Sequence, residues 1–333
     1  MRKLILFLTI LTCQVFAQSK VATTIGQFLK IEPSARISST GGSGTGQFGT
    51  ASSLFYNPAS LGRIQNIDAD FTLANWLADI KYNYGAVAVN LNDVGTFALQ
   101  IISLNSGEIP VRTVEMPLGT GEKYSVTNFA LGLGFGRMLT DRVSVGLVVS
   151  YFNETIWHSS LNGFFFNFGV QYQINESGLT FGASVSNYGT HGKYSGTDLY
   201  INYDFDPDKF GDNDRLPAEL RTDEFTLPTT FRAGISMPFK FAENYKLILS
   251  LDALHPNDNY ESLAIGGELK FFETFSLRGG YRNLFLPDSE GGLTLGAGAD
   301  VNVLNSYRVR FDYSWVDYGR LKSVHRVTFG INI

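Results

Sequence analysis

Five aspartates lie close together in one polar stretch, and their carboxylates could bind a cation. They are Asp204, Asp206, Asp208, Asp212 and Asp214. Carboxylates at alternate positions are the ligands that an EF-hand loop gives to calcium. The stretch departs from that pattern, because Gly211 falls two places late for a loop that starts at Asp204 and no glutamate closes the frame. We therefore predict a solvated acidic loop over residues 204–228, with calcium or partner binding as the alternative.

Two further patterns could indicate catalysis or a cofactor, but neither has the context that such chemistry needs. Gly44–Gly49 matches the three-glycine dinucleotide pattern, yet no strand precedes it and no helix follows it. His255 lies near Asp252 and Asp258 in the sequence, which is the one hint of an acid–base pair, and no candidate nucleophile accompanies it. The four histidines show no metal-ligand spacing: His158, His191, His255 and His325. We predict a protein without catalytic activity and without a cofactor.

Charged residues recur in the second half of the chain at positions that alternate with apolar ones. The main members are Arg232, Asp252, Glu268, Arg278, Arg282, Asp300, Arg310, Asp312 and Arg326, accompanied by Lys270 and Arg308. Successive side chains of a strand point to opposite faces, and a charge facing lipid costs about 2–4 kcal/mol near the bilayer midplane. We therefore predict that these charges face the interior of a closed sheet, where they bridge a plug or line a hydrated pore.

The elements that would position these charges are strands. From Ile67 onward apolar residues take every second place, and the last run ends the sequence with Val327, Phe329, Ile331 and Ile333. The runs number about fourteen, an even number typical of bacterial barrels. Short joints such as Asn92-Asp93 alternate with long ones such as residues 187–225, as periplasmic turns alternate with outer loops. The pattern predicts an all-β fold, a closed antiparallel transmembrane β-barrel over residues 67–333 with periplasmic termini; a soluble β-sandwich is the alternative.

The first seventeen residues are typical of a secretory signal peptide. Arg2 and Lys3 precede an apolar run, and Val15-Phe16-Ala17 is a small-residue cleavage site. A lipoprotein cleavage box at Cys13, the chain's one cysteine, is the competing interpretation. Cleavage after residue 17 would move the net charge from −5 to −7 and remove the thiol. An acidic exported chain is a poor candidate for nucleic-acid binding.

Residues 18–66 show no strand alternation, although residues such as Phe28, Leu29 and Leu54 make them too apolar for a solvated leader. We predict a hatch or plug inside the barrel, with a turn or short helical start at Asn57-Pro58-Ala59. Its backbone is expected to pack against a glycine-lined wall in strands four to seven of the predicted barrel. The mixed charges would bridge the opposite wall.

Several short blocks together resemble the PorV/PorQ family of exported bacterial proteins. They include Phe28-Leu29-Lys30-Ile31, Tyr56-Asn57-Pro58-Ala59, Ile156-Trp157-His158, Gly280-Tyr281-Arg282-Asn283 and Val324-His325-Arg326, and residues 213–220 and 252–258. That family is similar to the FadL-like long-chain fatty acid transporters, which have fourteen strands and an N-terminal hatch. The resemblance implies an accessory protein of type IX secretion, with secretion-system or surface proteins as partners. The alternative is a hatch-gated channel for hydrophobic small molecules such as fatty acids.

Overall fold

The computed structural model describes residue 21 and residues 23–211, 215–303 and 307–333. The predicted signal peptide, residues 1–17, lies outside the described residues, as do Asp212 and Asp214 of the acidic stretch. No helix in the described part of the chain is long and apolar enough to cross a membrane.

Strands dominate the described residues. In chain order they are β1 (Ile67–Asn75), β2 (Lys81–Asn90), β3 (Thr96–Asn105), β4 (Ile109–Pro110), β5 (Lys123–Tyr124), β6 (Val126–Met138), β7 (Val143–Ile156), β8 (Ser159–Gln173), β9 (Thr180–Gly189), β10 (Ser195–Gly196), β11 (Tyr200–Tyr203), β12 (Leu216–Glu219), β13 (Thr230–Ala242), β14 (Tyr245–Pro256), β15 (Ser262–Phe271), β16 (Phe275–Leu284), β17 (Leu293–Val303), β18 (Tyr307–Asp317) and β19 (Ser323–Asn332).

Fourteen of these strands form one closed antiparallel barrel. They are β1–β3, β6–β9 and β13–β19, each pairing with its neighbours around the sheet. Closure comes from β1, which pairs with β19 from Asp68↔Asn332 to Asn75↔His325. Because every edge is paired, no strand of the barrel leaves a row of unsatisfied backbone groups. The predicted fold class and strand number are confirmed.

The alternation of side chains separates an apolar exterior from a polar interior. Leu277 on the outer face is 57% exposed, whereas its neighbour Arg278 is 7% exposed. On β18 and β19 the aromatic pair Phe311 and Phe329 lies directly opposite on the outer face, with ring centroids 5.2 Å apart. Cross-strand aromatic pairs of this kind stabilise the register of a sheet.

The two ends of the barrel differ in the length of their connections. The turn end is the end at which β1 begins, at Ile67, and β19 ends, at Asn332. The joints there are as short as residues 243–244 and 272–274. The loop end, at the opposite side, carries residues 106–125, 190–211, 215–229 and 285–292. Four other joints at the loop end are short, with two to five residues: 76–80, 157–158, 257–261 and 318–322. The predicted sorting by length therefore holds for the three longest connections only. The short strands β4, β5 and β10–β12 belong to the loop end.

The described residues before β1 form short helical turns. One α-helical turn, α1 (Ala35–Ser38), lies among 3-10 helices at Gln27–Lys30, Ala51–Phe55 and Pro58–Arg63. Three more 3-10 turns, Leu77–Asp79, Thr197–Leu199 and Gly319–Leu321, lie in connections at the loop end.

Candidate functional site

The N-terminal segment, defined here as residues 23–66, is buried against the inner wall of the barrel. Leu29, Leu54 and Tyr56 are almost fully buried. They belong to one apolar cluster with inward side chains of the barrel, which include Tyr82, Tyr84, Ala88, Ile102, Leu104, Ala130, Val148, Phe152 and Phe165. The apolar part of the interior is therefore formed jointly by the segment and by strands β2, β3 and β6–β8.

The backbone of the segment has little regular secondary structure, so its polar groups need partners elsewhere. Inward carboxylates of the barrel accept hydrogen bonds from its N–H groups. The contacts are Gly26 N to Glu154 at 3.2 Å, Thr45 N to Asp252 at 2.9 Å, Ala51 N to Asp68 at 2.6 Å and Ser52 N to Asp70 at 2.9 Å. Carbonyl groups are satisfied similarly: Gln171 Nε2 donates to the Thr45 and Gln47 carbonyls, each at 3.0 Å.

Glycines of the inner wall let that backbone approach closely. A Cβ on Gly146 would lie 2.2 Å from the Pro58 carbonyl oxygen, and one on Gly182 would lie 2.1 Å from that of Thr45. Both glycines belong to the wall predicted from the sequence. Close contact also occurs across the barrel, where a Cβ on Gly266 would lie 2.2 Å from the Thr40 carbonyl oxygen. The glycine contacts therefore extend around the barrel, beyond the one wall predicted.

The predicted motif Asn57-Pro58-Ala59 lies where the segment meets β7–β9. Asn57 Oδ1 accepts a hydrogen bond from Ala59 N at 3.0 Å and so caps the 3-10 helix that Pro58 begins. Its Nδ2 donates to the carbonyls of Thr45 and Val170, each at 3.0 Å. Asparagine suits this place because its side chain offers an acceptor to the helix start and donors to two different backbones.

A buried network of charges lies in the interior between β1 and β15–β18. Arg310 makes hydrogen bonds of 2.7 and 2.8 Å to the two oxygens of Asp68 and one of 2.9 Å to Asp70. Arg278 contacts Glu268 at 2.8 Å and Asp312 at 2.6 Å. Arg36 of the segment joins this network through Glu268 at 2.8 Å.

Our sequence analysis missed Arg36 of the segment and, on the barrel wall, Asp68 and Asp70. Both are buried on β1 and alternate with the apolar residues Ile67, Ala69 and Phe71. That alternation is the same signal that indicated the charges of the later strands, so the sequence contained enough to include them.

The other predicted interior charges contact aromatic rings or single polar partners. Arg232 lies over the Tyr56 ring and Arg326 over Trp76, with centroid distances of 5.6 and 5.2 Å. Arg326 also donates to the Glu32 carbonyl of the segment at 2.9 Å. The remaining contacts are Asp252 Oδ2 with Thr45 Oγ1 at 2.6 Å, Arg282 with Tyr318 Oη at 2.6 Å and Arg308 with Asp300 at 2.5 Å.

An apolar cleft opens at the loop end beside the barrel rim. Its volume is about 810 Å³, and Ile109, Val111, Tyr124, Trp157 and Leu199 contribute to its walls. The walls therefore combine the hairpin of β4 and β5, the β7–β8 turn and the loop before β11. A volume of this size lies in the usual range for sites that hold small organic ligands.

A cluster of hydrogen bonds holds the β7–β8 turn against the loop that carries Leu199. Asp198 accepts from His158 N at 3.1 Å and from Ser159 Oγ at 3.2 Å, and its Oδ1 lies 2.9 Å from His158 Nδ1. The hydrogen bond with the His158 ring is the largest influence on Asp198 and lowers the pKa of its carboxyl group. Trp157 adopts a φ of 54°, which is uncommon for a residue other than glycine. The Trp157 ring stacks on the His158 ring, with centroids 4.7 Å apart.

Asp258, in the turn after β14, binds the first part of the segment. Its carboxylate accepts from Thr24 Oγ1 at 2.8 Å, from Gln27 Nε2 at 2.8 Å and from Lys30 Nζ at 3.0 Å. Burial alone would raise the pKa of this carboxyl, but the contacts with Gln27, Lys30 and Thr24 together outweigh it and hold the pKa below its usual value.

His255 contacts neither of the two aspartates that lie near it in the sequence. His255 lies on the outer face and contacts Glu261 at 2.9 Å. Asp252 points inward to Thr45, because successive residues of β14 lie on opposite faces and positions 252 and 255 are an odd number apart. Asp258, in the turn after β14, contacts the segment. Two glycines of the dinucleotide-like stretch Gly44–Gly49 serve packing instead: a Cβ on Gly44 would lie 2.7 Å from Tyr56 Cγ, and one on Gly46 would lie 2.9 Å from the Ser236 nitrogen.

The acidic stretch provides no metal site within the described residues. Asp204 accepts a hydrogen bond from Asp206 N at 3.0 Å, a local turn contact. No group of three or more His, Cys, Asp or Glu in the described ranges could hold a metal ion. Since Asp212 and Asp214 lie outside these ranges, calcium binding by all five aspartates stays a prediction.

Comparison with known proteins gives a likeness in fold. No family model matches the chain, and no curated protein matches it in sequence. Among solved structures, the Pseudomonas putida toluene transporter TodX is 13% identical, with a TM-score of 0.56, covering 90% of this chain and 97% of that one. The Ralstonia pickettii toluene transporter TbuX is 11% identical, with a TM-score of 0.55 and coverages of 91% and 98%.

A Pseudomonas aeruginosa FadL homologue is 11% identical, with a TM-score of 0.50 and coverages of 90% and 97%. The chain has a FadL-like barrel fold. Its resemblance to the PorV/PorQ family gains no support from these comparisons.

Proposed function

We propose that this protein is a channel of the bacterial outer membrane for hydrophobic small molecules, with the N-terminal segment as its hatch. The apolar cleft at the loop end carries the proposal, since it offers such a molecule a binding surface beside the barrel. The apolar exterior fits a membrane location, with the turn end and the termini on the periplasmic side. The names of the similar structures, toluene transporters and a FadL homologue, support the same class of solute.

The sequence predicted a channel for hydrophobic small molecules as the alternative function, and this alternative has better support than the role in type IX secretion. The secretory role rested on the PorV/PorQ resemblance, and no comparison supports it. Secretion-system partners remain a prediction without a structural observation behind them.

The cleft residues provide the experiment. We would measure uptake of radiolabelled toluene, and separately of a radiolabelled long-chain fatty acid, by bacteria that produce the protein. Val111→Asp places a carboxylate on the cleft wall, where an apolar solute cannot compensate its desolvation. We expect uptake of the transported solute to fall at least about tenfold, which corresponds to about 1.4 kcal/mol.

Val114→Asp is the matched control, because Val114 belongs to the same loop but is fully exposed and outside the cleft. Its uptake should equal that of the unaltered protein. Equal uptake by the two variants, or no uptake of either solute by the unaltered protein, would contradict the proposal. Co-purification of secretion proteins with the unaltered chain would instead favour the secretory role.

A further inference from the structure

Three lysines form a row on the inner face at the turn end. Lys240 on β13 lies directly opposite Lys246 on β14, and Lys246 lies directly opposite Lys270 on β15. All three occupy inward positions of the alternation, as do Asp252 and Glu268 further along β14 and β15. Like charges directly opposite each other on neighbouring strands destabilise a sheet.

These lysines lack compensating partners. Among the described residues, none of the three makes an ion pair or a side-chain hydrogen bond. Four interior arginines differ in this respect, since Arg36, Arg278, Arg308 and Arg310 are each paired with a carboxylate. The lysine row therefore places three ammonium groups on neighbouring strands, and no carboxylate of the described residues forms an ion pair with any of them.

Lys246 and Lys270 line an open cavity of about 370 Å³ at this end of the barrel. Arg63 of the segment also lines it, and its guanidinium donates only to neutral acceptors, Gln173 Oε1 at 3.1 Å and the Arg142 carbonyl at 3.0 Å. The one acidic residue of the lining, Asp300, is already paired with Arg308. The cavity thus has three cations that no carboxylate pairs, on two different walls.

We propose that this cavity is a binding site for phosphate-type oxyanions, with Lys246, Lys270 and Arg63 as its cationic ligands. An anion between the lysines would replace their mutual repulsion by attraction, and its several oxygens would match the donors of both ammonium groups and of the guanidinium. The volume exceeds that of a single phosphate and accommodates a diphosphate. Because the lysines point into the barrel, a dissolved oxyanion can reach them from the aqueous side. The phosphate headgroup of a lipid at the rim of the barrel would bind to the same donors.

The test uses the full chain in detergent micelles free of phosphate, titrated calorimetrically with pyrophosphate. We expect saturable binding that weakens at least about tenfold in the double variant Lys246→Gln/Lys270→Gln. The control double variant Lys193→Gln/Lys209→Gln removes the same two charges from exposed sites at the loop end and should bind like the unaltered chain. Lipid discs with or without phosphatidylglycerol form a second arm, measured by the midpoint of thermal unfolding.

Each outcome decides the proposal. Binding of pyrophosphate that the double variant loses supports a dissolved anion as ligand. A response to phosphatidylglycerol alone, also lost in the double variant, supports a headgroup. No response to either probe, or an unchanged response in the double variant, overturns the proposal. The site is independent of solute uptake through the channel, so its failure would leave the proposed function untouched.

A charge reversal keeps the test usable if the double variant does not fold. Lys246→Glu places a carboxylate between Lys240 and Lys270, which should raise the unfolding midpoint without anion while abolishing the response to pyrophosphate. If Lys246 had only a structural role, its replacement by glutamate would lower the unfolding midpoint instead. A lower midpoint together with unchanged binding would overturn the proposal.

Discussion

Gly146 provides the sharpest test of how the N-terminal segment is held. In Gly146→Ala the new Cβ would lie 2.2 Å from the Pro58 carbonyl oxygen and 2.7 Å from Ala59 N. Ordinary contact distances are about 3.5 Å, so the backbone of the segment would have to retreat by about 1.3 Å. Overpacking of a well-filled interior costs about 1–3 kcal/mol, and this contact involves backbone that Asn57 holds in place.

The matched control is Gly279→Ala. Gly279 also lies within a barrel strand, but it faces outward and the nearest atom to its new Cβ would be 3.8 Å away. A Gly→Ala change without strain stabilises a protein by about 0.4–1 kcal/mol through the unfolded state. The two variants should therefore change the free energy of unfolding in opposite directions.

The assay is limited trypsin digestion of the protein in detergent micelles, followed by mass spectrometry. Trypsin can cleave the segment after Lys30, Arg36 and Arg63, so displacement of the segment should speed release of its peptides. Urea titration gives the free energy of unfolding in parallel. Equal digestion and equal stability of the two variants would refute the close packing of Pro58 on β7.

Two further predictions concern charges that hold the segment and the first strand. Asp258→Asn should lower the free energy of unfolding by about 1.5–3 kcal/mol, the range for hydrogen bonds to charged groups, and speed tryptic cleavage after Lys30. The pKa of Asp258 is lower in the folded than in the unfolded protein. The stabilisation of the folded protein by this carboxylate is therefore present above the ordinary aspartate pKa and is lost as the pH falls through the lowered value. In urea titrations the Asn variant should not show this loss of stability at acidic pH. Arg310→Met should lower the free energy of unfolding by about 3–5 kcal/mol, since it leaves Asp68 and Asp70 buried without their cation. Arg308→Met removes a more exposed ion pair and should lower it by at most about 1 kcal/mol. Similar urea midpoints for those two variants would contradict the difference in burial.

The barrel could be predicted from the sequence because its signal is local. The period of two along β18 and β19 indicates strands, and the lengths of the joints indicate the two ends of the barrel. The low charge content indicates a membrane environment. None of these signals requires knowledge of distant contacts. The segment lacked such a signal, because its short helical turns follow no period. The hydrogen bonds that hold the segment can join residues more than two hundred positions apart. One example is the bond of 2.9 Å from Thr45 N to Asp252, and a single sequence does not show which residues meet in this way.

The loop-end cleft and the lysine row were missed for different reasons. The cleft combines apolar residues of three loops, such as Val111 and Leu199, whose meeting depends on loop geometry. The lysine row depends on register: Lys246 and Lys270 are recognisable as inward residues, but their direct opposition follows only from the pairing of β14 with β15. A shift of one residue would remove that opposition and turn one of the lysines outward.

The interior charges and the interior glycines serve one physical need. A segment without regular secondary structure brings unpaired N–H and C=O groups into a space from which water is largely excluded, and each unmet group costs about 1–3 kcal/mol. Asp68, Asp70 and Asp252 supply acceptors to its N–H groups, while Gly146 and Gly182 let other parts of its backbone lie directly against the wall. Strands that held an empty, hydrated pore would need neither feature. Passage of a solute through the space that the segment occupies would therefore require these particular hydrogen bonds to break.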